Sequence, residues 1–416
     1  MTVRRYELPT HVAWKETDAA AVTELTATLS KNHRQMTEPL VAYRGGGIMA
    51  PDTEDLAPGY KLFLTADRSM AVIPVKTEAG GKLTDVVHFP TKKDTLLRFD
   101  ANLAAYRQSV GDYVAAHWNK ENGFSPLPKV TMIDTLPDGR FVTLDQYRPY
   151  LHSIGKGSGS LGIHALDTER LTDSDARQLV HVLDAIHPNL NDFRAYLAQN
   201  HQTVPPESLL HPDNPLTALR GQEWWVNPTA ATDRLRELTG KTAAMEKEFA
   251  AIDPSFKVSS ALEQTIRNNL AIFPHQNGQV DNPEAQKHLT VVHGALYPGN
   301  IHRSETPDRV SFFTVTGGDR SHIGLPGEAI DWLVTAAAAS PAHQEALISE
   351  FLKLHPSEQE KRGLAMHVLY RAISESSWFA AHGTGNELGN LTKLSYDILN
   401  GNGIWQGVNT PIEAVT

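Results

Sequence analysis

The chain is 416 residues long, 40% hydrophobic and 21% charged, with 38 basic against 48 acidic residues and a net charge of −10. A chain of that size buries a large core in two or three subdomains, and its charge balance excludes the basic stripe of a nucleic-acid binder. With no cysteine, disulfides and thiolate-held metals are excluded as well.

The 19 histidines are scattered and form no His-Glu-x-x-His pair, so they predict no zinc helix. The N-terminus lacks a signal-like apolar core, and no apolar run is long enough to span a bilayer. The expectation is a cytoplasmic protein with no membrane partner.

Residues 1–38 read as an N-terminal extension with a short helix over residues 18–30. Residues 39–43 form a strand that runs into Arg44-Gly45-Gly46-Gly47, a glycine-rich turn able to bring backbone N–H groups to phosphates. The gap that follows, with Pro51 and Pro58, is expected to be too long for a tight hairpin. Residues 59–65 and 69–75 then pair around Ala66-Asp67-Arg68, and Lys76 closes the second strand.

Residues 95–110 carry Leu96, Phe99, Leu103 and Tyr106 on one face and predict an amphipathic helix. Strands follow at 129–134 and 140–144, joined by the turn Leu136-Pro-Asp-Gly139; Asp145-Gln146-Tyr147 is the strand exit. Residues 155–162, Gly/Ser-rich, are a linker. Thr172 caps a helix with Asp173 and Asp175 in its first turn, and His187-Pro188 ends it. Further helices are expected over 232–252 and 259–272, with Trp224-Trp225 in the preceding loop.

Residues 289–303 follow. Leu289–Val292 is an apolar, β-branched run that feeds a turn at His293-Gly294; a second turn, Tyr297-Pro298-Gly299, delivers Asn300. A rigid strand that hands polar side chains to a short loop is where chains place chemistry. Beyond it, residues 310–316 form a strand ending at Gly317-Gly318-Asp319, and residues 329–339, 341–354 and 358–382 predict a helical C-terminal region.

The loop closely resembles the catalytic loop of the protein-kinase-like phosphotransferases, most of all the aminoglycoside and choline phosphotransferase branch with its His-Gly-Asp-Leu-x-Pro-x-Asn pattern. His293, Gly294, Leu296, Pro298 and Asn300 match; Ala295 stands where that branch carries the aspartate that accepts the substrate hydroxyl proton. The resemblance covers about residues 40–390 and implies an α+β, bilobal kinase-like fold. Its N-terminal antiparallel-sheet lobe would span 39–150 and its mainly helical C-terminal lobe 151–416, with an acceptor-site insertion at about 200–290.

By the same resemblance, ATP and Mg2+ are the cofactors, and the acceptor is a small-molecule hydroxyl. Lys76 would hold the phosphates, Gln146 and Tyr147 would lie at the adenine hinge, and Asn300 with Asp319 would hold magnesium. Asn102 falls where the lysine's glutamate partner is expected; Asp100 lies about 200° away round the helix. Asp331, in Ile330-Asp331-Trp332, resembles the later aspartate that braces the catalytic loop. The expectation is an ATP-dependent kinase of a sugar, aminoglycoside or amino-alcohol hydroxyl, inactivated at Ala295 by a designed substitution. The alternative is a natural pseudokinase that binds nucleotide or a partner.

Overall fold

The computed structural model describes residues 97–119, 125–135, 141–146, 151–156, 163–211, 237–238, 241–269, 272, 286–304, 312–315, 317–318, 320–383 and 385–411, with strands at 42–44, 47–49, 63–64, 70–75, 85–90, 275–276 and 279–280. In chain order the elements are β1 (Ala42–Arg44), β2 (Gly47–Met49), β3 (Phe63–Leu64), β4 (Met70–Val75), β5 (Asp85–Pro90), α1 (Leu97–Ala105), α2 (Gly111–His117), β6 (Val130–Thr135), β7 (Phe141–Gln146) and β8 (Leu151–Ser153). Then come α3 (Asp173–Ala185), α4 (Leu190–Gln199), α5 (Glu246–Ile252), α6 (Val258–Asn268), β9 (His275–Gln276), β10 (Gln279–Val280), β11 (Thr290–Val292), β12 (Ile301–Ser304), β13 (Phe312–Val315) and β14 (His322–Gly324). Four helices close the chain: α7 (Asp331–Ala336), α8 (Pro341–Leu354), α9 (Glu358–His382) and α10 (Glu387–Asn400). The architecture is α+β, with small antiparallel sheets and long C-terminal helices.

The chain divides into two compact units, residues 1–153 with 302–319, and residues 154–301 with 320–416. The first unit is built on an antiparallel five-stranded sheet in the order β3-β4-β5-β7-β6. Pro74 sits inside β4 opposite Val86 of β5. β1 and β2 pair as a hairpin, Arg44 opposite Gly47. The stretch with Pro51 and Pro58, expected to be too long for a tight hairpin, lies outside the described residues.

The expected helix over residues 95–110 is also modified. Its α-helical part stops at Ala105, and Tyr106–Val110 forms a π turn before α2 begins. Tyr106 is fully buried there. The π turn widens the helix by one residue per turn and re-aims that side chain.

In the second unit, α3 begins as expected. The Thr172 hydroxyl accepts from the Asp175 N–H at 3.1 Å while Asp175 Oδ2 accepts from the Thr172 N–H at 2.8 Å, a reciprocal cap. α8 and α9 have the bounds their apolar spacing predicts. α9 supplies a buried face of Leu364, Val368, Leu369, Ala372 and Ile373.

Other elements are shorter than their patterns. The helix expected over 232–252 is interrupted, with a 3-10 turn at Thr242–Ala244 before α5. The one expected at 329–339 shrinks to α7, because Pro326–Ala329 winds as a 3-10 turn instead. Among the described residues no helix is long and apolar enough to cross a membrane.

Candidate functional site

β11 is buried along its whole length and pairs antiparallel with β14, Val292 opposite His322. The chain then leaves the sheet at His293, which is fully buried. Gly294 turns it with φ +77°. A Cβ there would fall 2.1 Å from the Arg320 carbonyl oxygen, so only glycine fits both the backbone conformation and the approach. Leu296 is buried as the apolar anchor of the loop, and Pro298 starts a 3-10 turn that ends at Asn300.

Two polar side chains fix residue 295 from opposite sides. The Ala295 N–H donates to His293 Nδ1 at 3.2 Å, and Asn300 Nδ2 donates to the Ala295 carbonyl at 2.8 Å. The first bond makes Nδ1 an acceptor, so a neutral His293 carries its proton on Nε2. The second turns the Asn300 amide so that its nitrogen, not its oxygen, faces the loop. The direction of the 295 side chain is therefore set, yet that side chain is a methyl group, 4% exposed.

Asp331 stands at the N-terminus of α7 with no exposed surface. Its Oδ2 pairs with Arg371 of α9, at 3.2 Å from Nη2 and 3.3 Å from Nε. Burial pushes its carboxyl up to about 7; the Arg371 guanidinium opposes this only in part. The Arg371 guanidinium also lies 3.9 Å over the Trp332 ring, and Tyr297 of the loop meets Trp332 edge-on at 6.2 Å.

A histidine–carboxylate pair starts from β14, the strand that pairs with β11. His322 Nε2 is 3.0 Å from Glu328 Oε1, and His322 Nδ1 is 2.8 Å from the Arg320 carbonyl. Nothing local in the sequence points to this pair, because β14 is three residues long and its partner strand is thirty positions away.

Of the expected site residues, the structure brings His293, Ala295 and Asn300 together. Asn102 lies in α1 of the other unit, 1% exposed. Gln146 ends β7. Lys76, Tyr147 and Asp319 lie outside the described residues, as do the extension 1–38, the linker core 157–162 and Trp224-Trp225.

The residues just before Asp319 are described, and they explain the glycines found there. Gly317 and Gly318 have φ of +93° and +107°. A Cβ on Gly318 would meet the Tyr106 ring at 2.6 Å, and Arg107 Nε donates to the Gly317 carbonyl at 3.2 Å. The glycines are set by packing against the π turn. Among the described residues no group of three or more His, Asp or Glu is arranged to hold a metal ion.

No protein-family model matches the chain, and no curated protein matches it. Solved structures similar to it include the GDP complex of wild-type aminoglycoside 2'-phosphotransferase-IIIa, with a TM-score of 0.43 at 10% identity over 92% of this chain and 99% of that one. A microcompartment-associated aminopropanol kinase is similar with a TM-score of 0.41 at 15% identity, over 84% of this chain and 95% of that one. So is the macrolide 2'-phosphotransferase of Brachybacterium faecium, with a TM-score of 0.39 at 14% identity, over 78% and 88%.

Proposed function

We propose that this chain binds ATP with magnesium in the manner of a small-molecule phosphotransferase, and that the proton acceptor of the transfer step is missing at Ala295. The observation that carries this reading is the clamp on residue 295. His293 and Asn300 hold both its backbone groups, at 3.2 and 2.8 Å, as a loop would if it had to aim one side chain. A methyl group there accepts no proton and orients no hydroxyl.

The donor chemistry at Asn300 fits a hard cation. Asn300 Nδ2 is committed to the Ala295 carbonyl, and its amide carries an oxygen, the donor type that magnesium takes. It is a neutral donor, so the anionic share of the metal shell falls to Asp319 and the phosphates. Lys76 is the proposed phosphate cation, with Gln146 and Tyr147 along the base. Bound magnesium supplies neutralisation of the phosphate oxygens as charge shifts between them. The acceptor is a hydroxyl of a sugar, aminoglycoside, amino alcohol or macrolide.

A second reading, a pseudokinase that binds nucleotide or a partner without transfer, is favoured by Asn102. It is buried in α1 where a glutamate would pair with the lysine, and an amide carries no charge for that pairing.

The test is to measure ATP turnover by the chain and by Ala295→Asp against a panel of hydroxylated small molecules, with calorimetric ATP–magnesium binding alongside. The phosphotransferase reading expects the aspartate variant to gain on the order of 10²–10⁴-fold in turnover. Binding without turnover in both proteins favours the pseudokinase. Absence of ATP–magnesium binding in both overturns the two readings together.

A further inference from the structure

We infer that His322, held by Glu328, is the positioning residue that fixes the 293–300 loop against β14, a part that the resemblance assigns to an aspartate such as Asp331. The geometry has three links. Glu328 sits in the 3-10 turn Pro326–Ala329, and its Oε1 lies 3.0 Å from His322 Nε2. The other imidazole nitrogen, Nδ1, lies 2.8 Å from the Arg320 carbonyl. That carbonyl is the atom against which Gly294 packs without a Cβ.

With an oxygen beside each ring nitrogen, the imidazole is held at both ends between Glu328 and the Arg320 carbonyl. His187 and His367, whose charges also reach Glu328, are both lowered to about 4 by burial and stay neutral. Arg371 is engaged by Asp331. Burial raises the Glu328 carboxyl, but the His322 contact, with smaller contributions from His367 and Arg371, holds it below its usual range. The pair is nearly dry, its side chains 4% and 10% exposed, so water does not substitute for it.

The turn that carries Glu328 is itself fixed. A Cβ on Gly327 would lie 2.5 Å from Leu364 Cα, so the turn rests directly on the backbone of α9. The path runs from α9 to the 326–329 turn, through Glu328 and His322 to the Arg320 carbonyl, and so to Gly294. Asp331 is engaged instead by Arg371 of α9, through Oδ2.

The consequence for nucleotide binding rests on the function proposed above; the loop-fixing role does not. Hydrogen exchange by mass spectrometry is measured on the full chain and on His322→Gln, Glu328→Gln and His355→Gln, with thermal unfolding and ATP–magnesium affinity measured in parallel. His355→Gln is the control, a half-buried histidine paired with carboxylates outside this network. In His322→Gln and Glu328→Gln, amides of residues 293–297 are expected to exchange faster by roughly tenfold, with α9 unchanged. His355→Gln is expected to lower the melting temperature without that local change.

Unchanged loop exchange in both network variants overturns the inference, as does an equal rise across all peptides. If His322→Gln does not fold, Glu328→Gln decides alone, since it keeps side-chain size and removes only the charge. If the unmutated chain binds no ATP–magnesium, the functional proposal fails while loop exchange still decides the part played by His322.

Discussion

Ala295 is a methyl side chain on a backbone held from both sides, by His293 at its N–H and by Asn300 at its carbonyl. The identities of His293, Gly294, Leu296, Pro298 and Asn300 were legible in the sequence because each answers to a local rule, such as a strand end, a turn or a 3-10 start. What was not legible is that His293 and Asn300 converge on residue 295, since hydrogen bonds that close over two and five positions depend on the exact turn geometry. Gly294 is the most exacting residue of the loop. Ala there would have to take a φ of +77° and place a methyl 2.1 Å from the Arg320 carbonyl. The left-handed backbone alone costs roughly 1–2 kcal/mol, and the clash adds to it. Urea unfolding of Gly294→Ala is expected to show at least that loss, together with weakened ATP–magnesium binding.

At the scale of elements, strong periodicity placed α8 and α9 to the residue, and the capping chemistry at Thr172 placed the start of α3. Elements defined by distant partners were not readable. β14 exists because β11 pairs with it, and the π turn after α1 exists because Tyr106 must reach the backbone beside Gly318. Local pattern carries no record of either.

The joints between helices carry charge as well. His355, just after α8, bonds Asp184 of α3 through Nε2 at 2.9 Å and Glu360 of α9 through Nδ1 at 3.1 Å. Burial lowers its pKa, but these two carboxylates outweigh that and raise it to about 9. Burial likewise raises Glu360, yet His355, Ser357 and His288 bring it to about 2. The signs set a window. A raised histidine stabilises fully below its ordinary 6.5, and that contribution is lost as pH climbs through 9. A lowered glutamate stabilises fully above its ordinary 4.5, and that contribution is lost as pH falls through 2. Chemical denaturation midpoints should therefore decline between pH 6.5 and 9, and His355→Gln should flatten that alkaline slope.

At the scale of the whole molecule, the second unit is closed by a segment that buries Trp405 and Val408 and turns its main-chain oxygens to one arginine. Arg362 of α9, its side chain 4% exposed, gives Nη1 to the carbonyls of Val408 and Thr410 and to Asn269 Oδ1, and gives Nη2 to the Gly407 carbonyl. Asn268 and Asn269 add bonds to the carbonyls of Asn409 and Val408. Removing the guanidinium strands several buried acceptors at once. Arg362→Ala is expected to cost about 3–5 kcal/mol, seen as a lower melting temperature and as new protease cleavage within 403–411.

The helical character of the C-terminal region was foreseeable from its period. That a single arginine would gather this segment was not, because its partners are main-chain oxygens, which any residue supplies. For anyone handling the protein, this makes the stretch after Asn400 an unsuitable place for trimming or for splicing in a tag. Cut at Gln406, the chain would keep the Arg362 guanidinium in α9 and lose the Gly407, Val408 and Thr410 oxygens it donates to, so a shortened version should be recovered mainly as insoluble material.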